Sequence, residues 1–173
     1  LYVDKNDFTS FNKILVCSFG GNIIVINKMA LSDELLNSPN QALIVEDCCN
    51  MIDSQLASKS GITGIALKTA FGVLKGIKPG YIPDVVESLL PTCFNALDPI
   101  WSEGVQQGEP VQYLINNSSR SADTLLGVTD ERVKHTKREI VRRTYDKFRS
   151  SAKKHVEEAI PDLATIIGKY AKK

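Results

Sequence analysis

Histidine is scarce in this 173-residue chain: His135 and His155 are the only two, and neither stands in an HExxH arrangement. Cysteine is nearly as sparse. Cys17, Cys48, Cys49 and Cys93 form no CxxC pair. Neighbours such as Cys48 and Cys49 point about 100° apart on a helix, so neither a local disulfide nor a metal clamp fits there. The four read as reduced, mostly buried thiols of a cytoplasmic protein. Long apolar runs are missing too. The longest, residues 14–26, is broken by Ser18, Gly20, Gly21 and Asn22, well short of the ~20 apolar residues a membrane span needs. Asp4 and Asp7 spoil the basic start of a signal peptide, and no small-x-small cleavage site follows. The chain also lacks a P-loop, a dinucleotide fingerprint and a serine elbow. These absences leave no catalytic residue, cofactor site, metal ligand or small-molecule substrate to name, and the expectation is a protein that is not an enzyme.

What remains is ordinary globular composition, 43% hydrophobic and 24% charged. A chain of this size buries roughly 68–70% of the surface its unfolded form exposes, enough for one core without staples. Two parts are expected. Residues 13–19 and 22–27 are β-branched, apolar runs either side of Gly20-Gly21, which reads as a two-residue hairpin. Such a hairpin is marginal alone, so residues 1–28 read as a loosely attached N-terminal extension, or leader, ahead of Met29. Residues 29–173 read as a single all-α domain, a compact bundle of short angled helices with one long basic amphipathic helix near its C-terminus.

The punctuation after Met29 is helical. Ser38-Pro39 reads as an N-cap followed by a first-turn proline, and Ile44, Cys48, Ile52 and Leu56 recur every four residues along one face. Gly61 closes that helix. Residues 62–77 are so apolar that they read as the central core helix, with Gly72 and Gly76 admitting a neighbour closely. Pro83, Pro91 and Pro99 predict two or three short helices over residues 83–103, with Trp101 as a core plug. Residues 104–109 read as a polar loop and Pro110 as a helix start. Thr129 reads as the cap of the longest helix, with Asp130 and Glu131 in its first turn. Val133, Ile140, Val141, Thr144, Tyr145 and Phe148 form its apolar face, and Ile160-Pro161 its end.

Several of these segments resemble an uncharacterised bacterial family of small helical proteins. The marks are Met29-Ala-Leu-Ser-Asp33, Lys59-Ser-Gly-Ile-Thr-Gly64, Lys78-Pro-Gly-Tyr-Ile-Pro83, Leu97-Asp-Pro-Ile-Trp101, Val128-Thr-Asp-Glu-Arg132, Tyr145-Asp-Lys-Phe-Arg149 and Ala159-Ile-Pro-Asp-Leu163. They span residues 29–173. All are turns, caps and core positions, so the resemblance implies a fold and no activity.

Charge is the most informative remaining pattern. Residues 132–154 hold ten basic groups against Glu139 and Asp146, a net +8 in a chain of +1, which leaves −7 for the rest. Arg138, Arg142, Arg143, Lys147, Arg149, Lys153 and Lys154 are the candidate polyanion-binding residues, since such a helix can track nucleic-acid phosphates or an anionic membrane. The plainer alternative pairs Glu139 with Arg143 and Arg142 with Asp146 along the helix, or sets the basic face against the acidic remainder. Ser60-Gly61-Ile62-Thr63-Gly64 is a weaker anion-site candidate, fully explained as a junction between helices. A structural or protein-interaction module, binding an unknown protein or itself, is therefore the leading expectation. Polyanion binding through residues 132–154 ranks second.

Overall fold

In the computed structural model, residues 14–19, 22–27, 30–36 and 39–171 are described. The strands β1 (Ile14–Phe19) and β2 (Asn22–Asn27) pair antiparallel, with Ile14 opposite Asn27 and Phe19 opposite Asn22. This is the register the Gly20-Gly21 turn implies, the two glycines themselves lying outside the described residues. Everything from Leu31 onward that has regular structure is helical. The elements are α1 (Leu31–Leu36), α2 (Gln41–Ser58), α3 (Gly61–Lys75), α4 (Tyr81–Gln106), α5 (Pro110–Asn116), α6 (Ser118–Lys134) and α7 (Glu139–Tyr170).

The core is organised on α4. Its buried residues Leu90, Phe94, Leu97, Ile100, Trp101 and Gly104 follow a helical period and make one continuous stripe. Leu31 and Leu35 of α1, Ile44 and Cys48 of α2, Leu114 of α5, and Ala164 and Ile167 of α7 complete the same cluster. Trp101 is buried in it. α1 is pinned from outside its own chain segment: Asp98 of α4 accepts a 2.8 Å hydrogen bond from the Leu31 backbone N–H, one of the amides a helix leaves unpaired at its start. The Ser32 hydroxyl bonds Asn95 beside it.

Several sequence expectations need correction. The residues 83–103 are not two or three short helices, because α4 runs unbroken through Pro91 and Pro99. Both prolines stand at exposed positions, where the carbonyls they displace can tilt toward water. The unbroken apolar stripe outweighs a propensity cost of about 3 kcal/mol per proline. α7 likewise continues through Ser150-Ser151 and Pro161 for 32 residues. The bundle thus mixes short helices with two long ones. Ser38 lies outside the described residues, and α2 starts at Gln41 after Asn40. Thr129 does not cap a helix: it sits within α6, its hydroxyl donating to the Leu125 carbonyl at 3.0 Å. The long basic helix expected from Thr129 is instead divided by the break at residues 135–138.

The largest departure is α3. Though more apolar than α4 or α7, it is not the central core helix. Only Gly64 and Ala70 are buried along it. Ile62 is 90% exposed, Ile65 67% and Val73 41%. The close approach is at Gly64, where a Cβ would stand 2.7 Å from the Lys59 carbonyl carbon, while beside Gly72 there is open space.

Candidate interaction surface

The basic residues of 132–154 are distributed over two elements and a break, and most face partners within the fold. Asp130 of α6 is the principal one. Arg149 of α7 grips it with two bonds, Nε to Oδ1 at 2.6 Å and Nη2 to Oδ2 at 2.7 Å, and the Tyr145 hydroxyl donates to Oδ1 at 2.7 Å. The Arg149 guanidinium, then the Tyr145 hydroxyl, hold this carboxyl below the usual carboxylate range, while burial opposes them. Burial first, and the neighbouring carboxylate next, push the Tyr145 phenol up. Asp130, expected as an acid in the first turn of a helix, lies instead near the C-terminal end of α6, and its pairing with Arg149 had no signal in the spacing.

Lys153 donates to Asp123 of α6 at 2.8 Å. Arg143 pairs with Glu139 at 2.5 Å, the i, i+4 pair expected from the spacing, while Arg142 turns instead to the Thr136 carbonyl at 3.0 Å. Arg138, just ahead of α7, stands over the Tyr81 ring with its guanidinium carbon 5.9 Å from the centroid. Lys147 and Lys154 make no ion pair with a described residue. Arg149 and Lys153 are thus drawn toward α6, whereas Arg143, Lys147 and Lys154 share the other flank of α7. The candidates do not converge on one stripe. Of the apolar face assigned to this region, Val133 belongs to α6 and Ile140 is 48% exposed. Val141, Thr144, Tyr145 and Phe148 are half-buried.

Chemical nucleophiles are poorly placed. Burial pushes the Cys48 thiol up to about 12 and the Cys93 thiol up to about 11, so both stay protonated near neutrality. His135 is exposed beside Glu131, and His155 lies 3.8 Å from Glu158 on the next turn of α7. A depression of about 320 Å³ lies between α2 and the α3–α4 connection, lined by Cys49, Asp53, Lys75, Lys78 and Tyr81. Across it, Lys75 and Asp53 neutralise each other at 2.8 Å. Among the described residues no cluster of His, Cys, Asp and Glu has metal-binding geometry.

The Ser60–Gly64 junction is structural. Gly61 takes a φ of +70°, which lets the chain turn from α2 into α3. The Lys68 ammonium then reaches back to the Lys59 carbonyl at 2.9 Å and the Ala57 carbonyl at 3.3 Å, satisfying the C-terminal end of α2. Lys59 itself pairs with Glu158 of α7.

The exposed side of α3 is therefore the surface the fold leaves least explained. Ile62, Ile65 and Val73 rise from it, open to solvent, and sequence reading placed all three inside. Among the described residues, no helix is long and apolar enough to cross a membrane. A model of a family of unknown function, DUF6918, matches residues 31–171. No curated protein and no solved structure matches the chain.

Proposed function

The chain belongs to this family, and since a family of unknown function lends it no activity, we propose from its surface that it is a non-enzymatic interaction module docking through the outer face of α3. One observation carries the reading: Ile62 and Ile65 point into solvent, while Gly64 and Ala70 are buried and Leu67, Phe71 and Leu74 half-buried on the other side of the helix. Soluble domains rarely leave contiguous apolar surface open unless something else covers it. The protonated thiols and the mutually neutralised depression support the non-enzymatic part. The free thiols of Cys48, Cys49 and Cys93 support a reducing, cytoplasmic setting. A bacterial origin, implied by the family resemblance, belongs to the same proposal.

The test is the pair Ile62→Asp and Ile65→Asp in one chain. Exposed substitutions usually change stability by within about 0.5 kcal/mol, so the thermal midpoint should hold to about 2 °C. Binding of an environment-sensitive apolar dye should fall. A loss of more than about 2 kcal/mol in denaturant melts would mean the face is packed within the fold, and the reading would fail.

A second reading, polyanion binding through residues 132–154, rests on Lys147, Lys154 and Arg143, which lie on the flank of α7 turned away from the α6 acids. Charge reversal at Arg142, Arg143 and Lys147 should then weaken nucleic-acid binding and flatten its salt dependence. Unchanged binding would refute it.

A further inference from the structure

The junction between α2 and α3 is tied to α7 at a single carboxylate. Lys59 ends α2, and two contacts at the head of α3 rest on it. The Lys68 ammonium bonds its carbonyl, and Gly64 packs so closely that a Cβ would stand 2.7 Å from its carbonyl carbon. The Lys59 side chain, 15% exposed, crosses to Oε2 of Glu158 on α7. One turn earlier on α7, Nδ1 of His155 lies 3.8 Å from the same Oε2. The His155 side chain is 17% exposed, and its Nδ1 is buried with no hydrogen-bond partner among the described residues. We propose that His155 is a proton-operated latch: once protonated it takes Glu158 from Lys59, and the head of α3 comes away from α7. The latch is independent of what the outer face of α3 binds.

Neutral imidazole donates from one nitrogen, whereas imidazolium donates from both. A buried cation needs a counter-charge, and the gap to Glu158 Oε2 has to close by only about 1 Å to make a charge-assisted bond. Glu158 is an anion throughout the histidine range. The hydrogen bond from Lys59 holds its carboxyl below the ordinary range, with the charges of Lys59, Lys154 and His155 adding to this and burial opposing it. Other charges on the elements packed against α7 are committed elsewhere. α6 turns Asp123 to Lys153 and Asp130 to Arg149. α2 turns Asp47 to Lys169 and Asp53 to Lys75. α3 turns Lys68 to the Ala57 and Lys59 carbonyls, and α5 carries no charge. Protonation of His155 therefore sets three cations, counting Lys154, around one carboxylate. Lys59 is the one able to leave, its flexible stem carrying the ammonium into water. Opening takes up a proton, so it becomes more favourable as pH falls through the range in which histidine titrates, about pH 8 to 5.

The experiment is hydrogen exchange of the full chain, read by mass spectrometry at about pH 7.5 and about pH 5.5, with rates corrected for the pH dependence of unprotected amides. Peptides covering residues 57–70 should lose protection by about tenfold on acidification, the scale of one proton taken up across the histidine range. Peptides from α4 should keep theirs. His155→Gln should abolish the pH response, and Lys59→Gln should leave the same peptides poorly protected at both pH values. Wild-type protection that does not change with pH would overturn the latch, and so would an unchanged pH response in His155→Gln. Should His155→Gln itself lower the thermal midpoint, Lys59→Gln decides: protection at the wild-type level, or a full pH response, in that variant would refute the release of Lys59.

Discussion

Two glycine-to-alanine substitutions in helix interiors should have opposite signs, and the contrast measures where each helix face points. Gly104 of α4 has Pro110 Cα and Tyr113 Cβ of α5 only 2.7 Å from where a Cβ would sit. Neither atom is the end of a flexible side chain, so the α4–α5 contact must open. Overpacking of this kind costs about 1–3 kcal/mol, against about 1 kcal/mol gained in helix propensity. The net expectation is a loss of about 0–2 kcal/mol, a fall of roughly 2–4 °C per kcal/mol for a chain of this size. Gly72 of α3 has nothing within 4 Å of the same position. There the propensity gain stands alone, and Gly72→Ala should raise stability by about 1 kcal/mol. Urea melts followed by far-ultraviolet ellipticity measure both, provided the m-values match the wild type. A destabilising Gly72→Ala would refute the solvent-facing placement of α3. A Gly104→Ala as stabilising as Gly72→Ala would refute the tight α4–α5 crossing.

Two further outcomes follow from buried groups and charge. Ser121 is fully buried with an unpartnered hydroxyl, so Ser121→Ala should leave stability unchanged or raise it by about 1 kcal/mol in chemical denaturation; a clear loss would mean the hydroxyl has a partner. Asp130 has a carboxyl held below its unfolded value, so its contribution is complete above about pH 3.9 and is lost as pH falls through the lower folded value. Melts at falling pH should show wild type losing more than Asp130→Asn in that acid window, and parallel curves would refute the pairing.

Where one face of an element is buried and the other wet, sequence period proved a sound guide. Ile44, Cys48 and Leu56 of α2 are buried in the expected register, Pro110 opens α5, and the two strands stop at the residues flanking the glycine pair. Local rules failed where a distant partner decided the outcome. Proline signals break a helix, yet Pro91, Pro99 and Pro161 lie within helices whose apolar stripes are anchored on neighbours. Thr129 and Asp130 have the chemistry of a helix start, but the threonine bonds back one turn and the aspartate answers Arg149, nineteen residues on. No spacing rule reports a pairing across two helices.

The misplacement of α3 has a sharper cause. Mean hydropathy says how much a helix gains by leaving water, and nothing of what it leaves water for. A helix apolar on nearly every side is ordinarily buried, and on that rule residues 62–77 belonged at the centre. The size pattern pointed elsewhere. The positions now turned inward, Gly64 and Ala70, are small, and Gly64 has no room for a side chain against Lys59. With small residues at its two buried positions the helix comes close but buries little area: Leu67, Phe71 and Leu74 are only half-buried, and Ile62 and Ile65 are left on the opposite side. Core helices such as α4 do the reverse, sending Phe94, Leu97 and Trp101 inward and prolines outward. Which side carries the volume, more than how apolar the whole segment is, separates a helix that fills a core from one that offers a face to something outside the chain.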